Sequence, residues 1–313
     1  MSSPCLPLPE GALIGVIAPA GPVDPAVLPV VEAVYARHGW RARLYPSCRA
    51  RHDTLPYLAG PDALRLADLH AALADDEVAA LHCLRGGYGT MRLLPDIDTA
   101  LLRRKPKLLM GFSDITALHA LWAAEGLPSL HAPMPASDLI RPGREADEAA
   151  WATLLKQGLP AGTVLAPEFE PGEPLNPGVA EGVLIGGNLS LVAALTGTPW
   201  AWNPHGAILF LEDVSESLYR VDRYLTQLQL AGVLHAVAGI VLGSFNETEP
   251  PGPLLMERLL PLCRAFGKPL LGGWPTGHGA PNRPLPLGLR VRLDAGAGTI
   301  TLREPLAAPA DGA

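Results

Sequence analysis

The chain has 313 residues, of which 48% are hydrophobic and 18% are charged, and this composition excludes intrinsic disorder for most of its length. At roughly 150 residues per domain, the length indicates two domains. The formal net charge is -7 and the chain has no run of basic residues. Both facts argue against nucleic acid as a partner and favour a small-molecule substrate.

The cysteines and the N-terminal sequence indicate the cellular compartment in which the protein resides. The cysteines lie far apart, without a CxxC pair or a histidine at ligand spacing, so we expect free thiols and no zinc site; they are Cys5, Cys48, Cys83 and Cys263. The N-terminal sequence MSSPCLPLPEG lacks the basic and apolar regions of a signal peptide. No apolar run reaches the roughly 18 residues of a membrane span. The sequence therefore predicts a cytoplasmic protein with no membrane segment.

Short apolar runs alternate with helical patterns in the first half of the chain. The run ALIGVIA, Ala12 to Ala18, is bounded by Gly11 and Pro19 and is typical of a buried strand. Helices are then predicted at 25–38 and 61–73, further strands at 41–45, 79–84 and 107–111, and a last helix begins with ITALH. Such alternation predicts an α/β domain with a parallel sheet covered by helices.

The pattern changes between residues 133 and 177, where Pro and Gly are frequent and only one short helix, near 145–155, is predicted. We therefore place a linker at 136–177, between an N-terminal domain at 1–135 and a C-terminal domain at 178–313. Strands are predicted there at 182–186, 207–212 and 239–243, with helices near 189–195 and 217–230. Period-two alternation in LRVRLD and TITLRE, around the turn at 295–298, predicts an antiparallel hairpin, so the second domain is mixed.

Ser113 is the first candidate for chemistry. It follows a buried strand and precedes a helix, the context in which a nucleophile is presented and the next backbone N–H can bind an oxyanion. Ile115 stands where the GxSxG motif has its second glycine, so that motif gives no support. The alternative is that Ser113 only caps the helix.

Glu212 and His278 are candidates for the same site. Glu212 closes the apolar strand AILFLE, and a buried carboxylate needs a partner to offset its desolvation. Alternatively, Glu212 and Asp213 only favour the positive end of the next helix. His278 lies between two glycines in a non-helical loop, where a surface role is the alternative. A serine, a histidine and a carboxylate together supply the nucleophile, base and orienting acid of acyl transfer, in the chain order of α/β-hydrolases.

The loop RGGYG, Arg85 to Gly89, lacks the GK[ST] ending of a P-loop and the GxGxxG spacing, so it does not indicate a nucleotide site. We interpret it as a loop whose backbone approaches a ligand closely and donates N–H groups; a tight turn is the alternative. Arg85 and Arg283 are the cations nearest in sequence to the proposed chemistry. Either could bind a substrate carboxylate, or both could form surface ion pairs.

The sequence resembles the LD-carboxypeptidase family, whose main members are the muramoyltetrapeptide carboxypeptidases. The resemblance extends from about Gly11 to Arg303 and rests on ordered blocks. These blocks are GVIAPAGP, LRGGYGTMRLLPDID, LLMGFSDITALH, LIGGNLSLV, FLEDVSESLYRVDRYLTQL and GHGAPNRPLPLG. Family members often have Tyr at the position of Phe112, a departure that leaves the backbone geometry unaffected.

The resemblance implies a serine peptidase with a flavodoxin-like or Rossmann-like N-terminal domain, a C-terminal β/β/α domain, and an active site between them. It makes Ser113 the nucleophile, Glu212 the orienting acid and His278 the base. The oxyanion donors would be the N–H of Asp114 and that of Gly86 or Gly87. The implied reaction removes the terminal D-alanine from murein tetrapeptides during cytoplasmic wall recycling, by a homodimer without metal or cofactor.

Two other functions remain open at this stage. The chain also resembles the microcin self-immunity peptidases, which cleave peptidyl-nucleotide antibiotics, and Trp200, Trp202 and Trp274 could stack on a base. The other alternative is a two-domain protein that binds a small anion without catalysis, with Arg85 and Arg283 as clamps. In that alternative, Glu212 and His278 would have no shared function.

Overall fold

The computed structural model describes residues 6–165, 172–246 and 251–306. The strands are β1 Leu13–Ile17, β2 Arg41–Leu44, β3 Val78–Cys83, β4 Leu108–Gly111, β5 Ser129–His131, β6 Val164–Leu165, β7 Glu173–Asn176, β8 Val179–Asn188, β9 Ile208–Val214, β10 Gly239–Asn246, β11 Leu270–Gly272, β12 Leu285–Leu287, β13 Arg290–Asp294 and β14 Thr299–Leu302. The helices are α1 Leu28–Arg37, α2 Asp62–Ala74, α3 Thr99–Arg104, α4 Thr116–Ala124, α5 Glu145–Gln157, α6 Leu189–Leu195, α7 Leu218–Leu230, α8 Val233–Ala236 and α9 Gly252–Ala265.

The first sheet has the strand order β12-β5-β4-β3-β1-β2. Strands β1 to β5 are parallel, and β12 is antiparallel to β5. Most strand residues are buried, because helices cover a parallel sheet on both faces. Trp151 of α5 is buried against Tyr35 and Trp40, with ring centroids 5.9 and 5.4 Å away. Helix α5 is therefore part of the core of this sheet.

The second sheet has the strand order β6-β14-β13-β8-β9-β10-β11-β7. Strands β8 to β11 are parallel and the outer strands are antiparallel, so the sheet is mixed. Asn188 begins α6, where its side chain accepts a hydrogen bond from Leu191 N at 3.4 Å. The predicted fold class, a parallel α/β sheet followed by a mixed unit, is confirmed.

The two sheets meet where the carboxyl ends of their parallel strands converge. Thr116, at the start of α4, accepts a hydrogen bond from Asn188 N at 3.0 Å. Gly187 lies so close to Thr116 that a Cβ at this glycine would be 2.5 Å from the threonine hydroxyl. In addition, β12 comes from the last third of the chain and completes the first sheet. The division at 1–135, 136–177 and 178–313 stays a prediction.

Most predicted elements are present within a few residues of their expected bounds, including the hairpin of β13 and β14. The sequence analysis missed strands β5, β6, β7, β11 and β12 and helices α8 and α9. The missed strands have two to four residues each, too few to show a period. Cys48, Cys83 and Cys263 are free thiols, as predicted, and all three are buried, whereas Cys5 lies outside the described residues. Within the described segments, no helix combines the length and apolar character that crossing a bilayer requires.

Candidate active site

Ser113 occupies a strained turn directly after β4. Its φ of 64° is in the left-handed region, where a residue with a side chain costs on the order of 1–3 kcal/mol and persists only if its surroundings enforce it. The short turn of residues 113–115 then leads into α4. Such a strand-to-helix turn exposes the hydroxyl above the sheet edge.

A chain of hydrogen bonds joins Ser113 to His278 and Glu212. Ser113 Oγ lies 3.0 Å from His278 Nε2, and His278 Nδ1 lies 2.7 Å from Glu212 Oε2. A neutral imidazole therefore donates Nδ1–H to the carboxylate and accepts the serine hydroxyl at Nε2. The structure brings together the three residues that the sequence analysis selected.

The charges at this site favour a basic imidazole. Burial alone would raise the pKa of Glu212, but His278 and His131 outweigh it and lower that pKa to about 2. Burial lowers the pKa of His278, but Glu212, together with Asp213 and Asp138, raises it above its ordinary value. Glu212 is thus a carboxylate at neutral pH, and it stabilises the imidazolium that forms when His278 takes a proton.

Close backbone packing fixes the loop that carries His278. Gly277 has φ 130°, and a Cβ there would be 2.4 Å from Ser244 Oγ and 2.8 Å from Glu212 Oε2. Ser244 Oγ accepts a hydrogen bond from Gly279 N at 3.0 Å, and Asn282 Oδ1 accepts one from Gly277 N at 3.0 Å. Only glycine allows the loop to approach Glu212 this closely.

The RGGYG loop lies against Ser113. A Cβ on Gly86 would be 2.8 Å from Ser113 Cβ, and Gly87 and Gly89 have φ of 119° and 128°. The loop thus packs closely on Ser113 and also turns tightly, while donation of its N–H groups to a ligand stays a prediction. Asp114 accepts a hydrogen bond from Thr90 N at 2.8 Å, which holds the far end of the loop. Burial raises the pKa of this carboxyl.

The two candidate arginines differ in their partners. Arg283 is 3.6 Å from Asp147 Oδ1 and donates to Ala146 O at 2.5 Å, so it matches the ion-pair alternative. Arg85 is partly buried and donates to the carbonyls of Pro22 and Gly86 at 3.1 and 3.2 Å. Within the described residues, no carboxylate pairs with Arg85.

Asp213 binds the start of α6, the helix that precedes β9, whereas the alternative placed Glu212 and Asp213 at the next helix along the chain. Asp213 accepts hydrogen bonds from Asn188 Nδ2 at 2.9 Å and from Ser190 N at 3.0 Å, at the start of α6. Burial and the charge of Glu212 raise the pKa of Asp213 to about 6. Because neighbouring residues on a strand point to opposite faces, Glu212 is left to face His278.

Two further residues near Glu212 and His278 were missed by the sequence analysis. Asp138 is buried, and its Oδ2 accepts hydrogen bonds from Met134 N at 3.1 Å and Ser137 Oγ at 2.7 Å. His131, at the end of β5, is 3.9 Å from Glu212 Oε1 through its Nε2. The only available signal was position after a short apolar run, and nine histidines made that signal weak. In the part of the chain that is described, no cluster of three His, Cys, Asp or Glu could hold a metal ion.

Family models match both halves of the chain. The LD-carboxypeptidase N-terminal domain matches residues 14–132, and the LD-carboxypeptidase C-terminal domain matches residues 181–293. The chain belongs to the LD-carboxypeptidase family. It is therefore a serine-type carboxypeptidase, which confirms the predicted family and argues against a binding protein without activity.

Relatives and solved structures agree with this assignment. A putative carboxypeptidase of Streptomyces coelicolor is 43% identical over 95% of each chain. The murein tetrapeptide carboxypeptidase of Pseudomonas aeruginosa is 36% identical over 90% of this chain and 92% of its own. The muramoyltetrapeptide carboxypeptidase of Oxalobacter formigenes superposes with a TM-score of 0.78 at 31% identity, over 94% of this chain and 98% of its own.

The fold is also similar to that of a microcin self-immunity protein. The microcin C7 self-immunity protein MccF in complex with aspartyl sulfamoyl adenosine superposes with a TM-score of 0.80, over 97% of this chain and 99% of its own. The sequence identity is 23%, so this likeness concerns the fold alone.

Proposed function

We propose that the protein removes the terminal D-alanine from murein tetrapeptides by hydrolysing the bond between the L-centre of the diamino acid and D-alanine. The observation that carries the proposal is the hydrogen-bonded chain from Ser113 through His278 to Glu212, with distances of 3.0 and 2.7 Å. Relatives named as murein tetrapeptide and muramoyltetrapeptide carboxypeptidases support the substrate.

In the first half of the reaction, His278 Nε2 takes the proton of Ser113 as Oγ attacks the carbonyl carbon of the L-centre. The N–H groups of Asp114 and of Gly86 or Gly87 stabilise the oxyanion. Collapse of the tetrahedral intermediate breaks the amide bond, and His278 returns the proton to the amine of D-alanine. The peptide remains as an ester on Ser113.

In the second half, His278 removes a proton from water, and the hydroxide equivalent attacks the ester. Breaking the ester releases the tripeptide carboxylate and returns the proton to Ser113. Glu212 stays a carboxylate throughout and balances the charge of the imidazolium. Its low pKa, about 2, suits this role.

We assign recognition of the terminal carboxylate to Arg85. An exopeptidase must bind the free end of its substrate, and a chain with net charge -7 repels an anion unless a cation is placed locally. Arg85 precedes the Gly86 backbone that packs on Ser113, and its guanidinium suits a planar carboxylate. Arg283, which the sequence also favoured, is occupied by Asp147.

The direct test is Ser113→Ala with Ser190→Ala as matched control. We expect Ser113→Ala to lower kcat on murein tetrapeptide by ~10⁴-fold or more, while calorimetry still detects substrate binding. The Ser190 hydroxyl donates to Asn188 Oδ1 at 2.6 Å, away from His278, so its variant should turn over normally. Near-normal turnover by Ser113→Ala would refute the proposed nucleophile and make Ser190 and Ser215 the next candidates.

The alternative substrate is a peptidyl-nucleotide antibiotic, because the fold is shared with MccF. Of the tryptophans considered for stacking, Trp274 is buried in the core of the second sheet, and Trp200 and Trp202 pack partly buried against other core residues. Incubation with murein tetrapeptide and, separately, with aspartyl sulfamoyl adenosine distinguishes the two. Release of D-alanine supports the proposal, and cleavage of only the nucleotide compound supports the alternative.

We also propose that the protein acts in the cytoplasm during wall recycling and that it is a homodimer. Both proposals follow from the family resemblance. Cell fractionation tests the first. Sedimentation equilibrium tests the second, with a mass near 66 kDa expected, twice the 32.9 kDa of one chain.

A further inference from the structure

Glu212 faces a second histidine, which the mechanism above does not use. Its Oε2 accepts from His278, whereas Oε1 has no hydrogen-bond partner within the described residues and lies 3.9 Å from His131 Nε2. Both side chains are completely buried. A fully buried carboxylate oxygen without a hydrogen-bond donor lowers the stability of the folded protein, so the missing hydrogen bond needs an explanation.

Strand pairing places His131 between the strand that leads to Ser113 and the strand that follows the loop of His278. It ends β5, which pairs with β4 on one side and with β12 on the other, opposite Gly111 and Leu285 respectively. Strand β4 leads to Ser113, and β12 follows the loop of His278. Phe112 contacts both rings, with centroids 5.4 Å from His131 and 4.8 Å from His278.

Among the described residues, aromatic rings surround His131 and no other polar group bonds it. Neither ring nitrogen has a hydrogen bond in the described part of the chain. Phe210 packs edge-on against the ring at 5.2 Å, and His119 stacks at 6.3 Å. His119 is itself satisfied by Ser129 Oγ at 2.8 Å and Gly111 O at 2.9 Å. Glu212 is therefore the one carboxylate within ion-pair distance of His131 among the described residues.

We propose that His131 is a positioning residue, which directs Nε2–H at Glu212 Oε1 and thereby holds the other carboxylate oxygen against His278. The inference rests on the proposed function of the Ser113, His278 and Glu212 site. Catalytic hydrogen bonds are often long in a free enzyme and tighten when substrate binds. The 3.9 Å separation closes to a hydrogen bond with a small movement of either side chain.

The matched variants are His131→Gln and His131→Met. Gln keeps an N–H at the position of Nε2, whereas Met has similar length and apolar bulk but no donor. We expect His131→Met to lower kcat by about 10- to 100-fold, the range for residues that orient metal ligands, with KM changed little. Gln should recover most of that loss.

The pH profile separates positioning from packing. The acid limb of kcat/KM reports protonation of His278, and the Glu212 carboxylate that His131 holds against Nδ1 favours that protonation. Loosening this contact should move the acid limb to lower pH in His131→Met and not in His131→Gln. Asp213 and Asp138, which also raise the pKa of His278, and neutral His119 are present in every variant.

His82→Met is the structural control. His82 is also a completely buried histidine, bonded to Tyr35 Oη at 3.0 Å and Pro133 O at 2.9 Å. Its loss should lower Tm without moving the acid limb. An unmoved limb in His131→Met, or equal damage in the Gln and Met variants, would overturn the proposal.

A second readout makes failure of this inference distinguishable from failure of the proposed function. Labelling of Ser113 by a fluorophosphonate needs the activated hydroxyl but no particular substrate. Slow labelling of His131→Met, with recovery in Gln, supports the inference whatever the natural substrate is. Wild-type labelling rates in both variants contradict it even if tetrapeptide hydrolysis proves correct.

Discussion

At the residue scale, His278 is surrounded by three carboxylates, and only one of them bonds its ring. Glu212 contacts Nδ1 at 2.7 Å, while Asp213 and Asp138 satisfy backbone donors and act on the imidazole through their charge alone. The environment therefore raises the basicity of His278 without competing for its hydrogen bonds. This arrangement makes a pH-dependent prediction.

Because the effect of burial is outweighed by Glu212, the pKa of His278 lies above the ordinary value of a histidine. Only neutral His278 accepts the serine proton, so kcat/KM should fall as pH decreases through that pKa. Glu212→Gln removes the carboxylate charge and should move the acid limb to lower pH, while kcat at the plateau falls by ~10³- to 10⁴-fold because the imidazolium loses its partner. The measurement is a pH profile of tetrapeptide hydrolysis for both proteins.

Thermal unfolding serves as the control for Glu212→Gln, since an amide of equal size should leave Tm within a few degrees. A collapse of Tm with normal activity per folded molecule would make Glu212 a structural residue. An acid limb that moves upward in the variant would contradict the assigned sign of the interaction.

The variants Arg85→Ala and Arg283→Ala should differ in how well they recognise the terminal carboxylate of the substrate. The comparison is hydrolysis of a tetrapeptide and of its C-terminal amide by wild type, Arg85→Ala and Arg283→Ala. Arg85→Ala should lose most of the preference for the free acid, because Arg85 has no carboxylate partner in the described chain. Arg283→Ala should keep that preference and lose stability, since its partner Asp147 is buried. A preference retained in both variants would remove Arg85 from the carboxylate site.

Sequence reasoning selected Ser113, Glu212 and His278 because each follows a recognisable strand or lies in a glycine-bounded loop. It could not find His131 or Asp138, whose importance depends on distances between segments far apart in the chain. Nor could it separate Arg85 from Arg283, because the partner of Arg283 lies on a helix more than 130 residues away.

At the scale of elements, helix α5 anchors the loop of His278. Asp147 Oδ1 accepts from Asn282 N at 3.0 Å, and Arg144 donates to Gly279 O at 2.5 Å. The helix packs on the first sheet through Trp151. The segment that the sequence analysis assigned to a linker thus contains an element that connects the core to the site.

Asp147→Ala should therefore impair both stability and catalysis. It leaves the buried Asn282 N–H without an acceptor, at a cost of about 1–3 kcal/mol, and frees the loop that positions His278. We expect lower Tm and lower kcat, with Asp147→Asn retaining most of both because its amide oxygen can still accept. Calorimetry and steady-state kinetics of the pair check this. Equal kcat in Ala and Asn variants would show that the contact does not position His278.

The elements that sequence patterns predicted are those with enough residues for a period, such as β9 and α7. Strands β5 and β12 were missed because their pairing is determined by tertiary contacts rather than by local pattern. Strand β12 lies within the sequence RPLPLG, where prolines argue against a strand. Its antiparallel position next to β5 on the sheet edge tolerates Pro286.

At the scale of the whole molecule, the two sheets share parts of the chain. The first sheet takes its edge strand β12 from residues beyond the second sheet's main strands, and the Thr116 to Asn188 contact joins the two sheets beside the site. Ser113 follows β4 of the first sheet, whereas Glu212 lies on β9 and His278 follows β11, both strands of the second sheet. The site geometry therefore depends on both halves being present and correctly packed.

This sharing predicts that residues 1–135 do not fold as an independent unit. A chain ending at residue 135 lacks β12, which covers the edge of β5, and lacks Trp151, whose burial against Tyr35 and Trp40 closes one face of the sheet. Loss of a buried tryptophan alone costs about 3–5 kcal/mol, a large part of the stability of a domain. Circular dichroism should show a broad, non-cooperative transition for 1–135 and a single sharp one for the full chain. A truncated chain with a sharp transition and a Tm near that of the full protein would instead establish 1–135 as a self-sufficient domain.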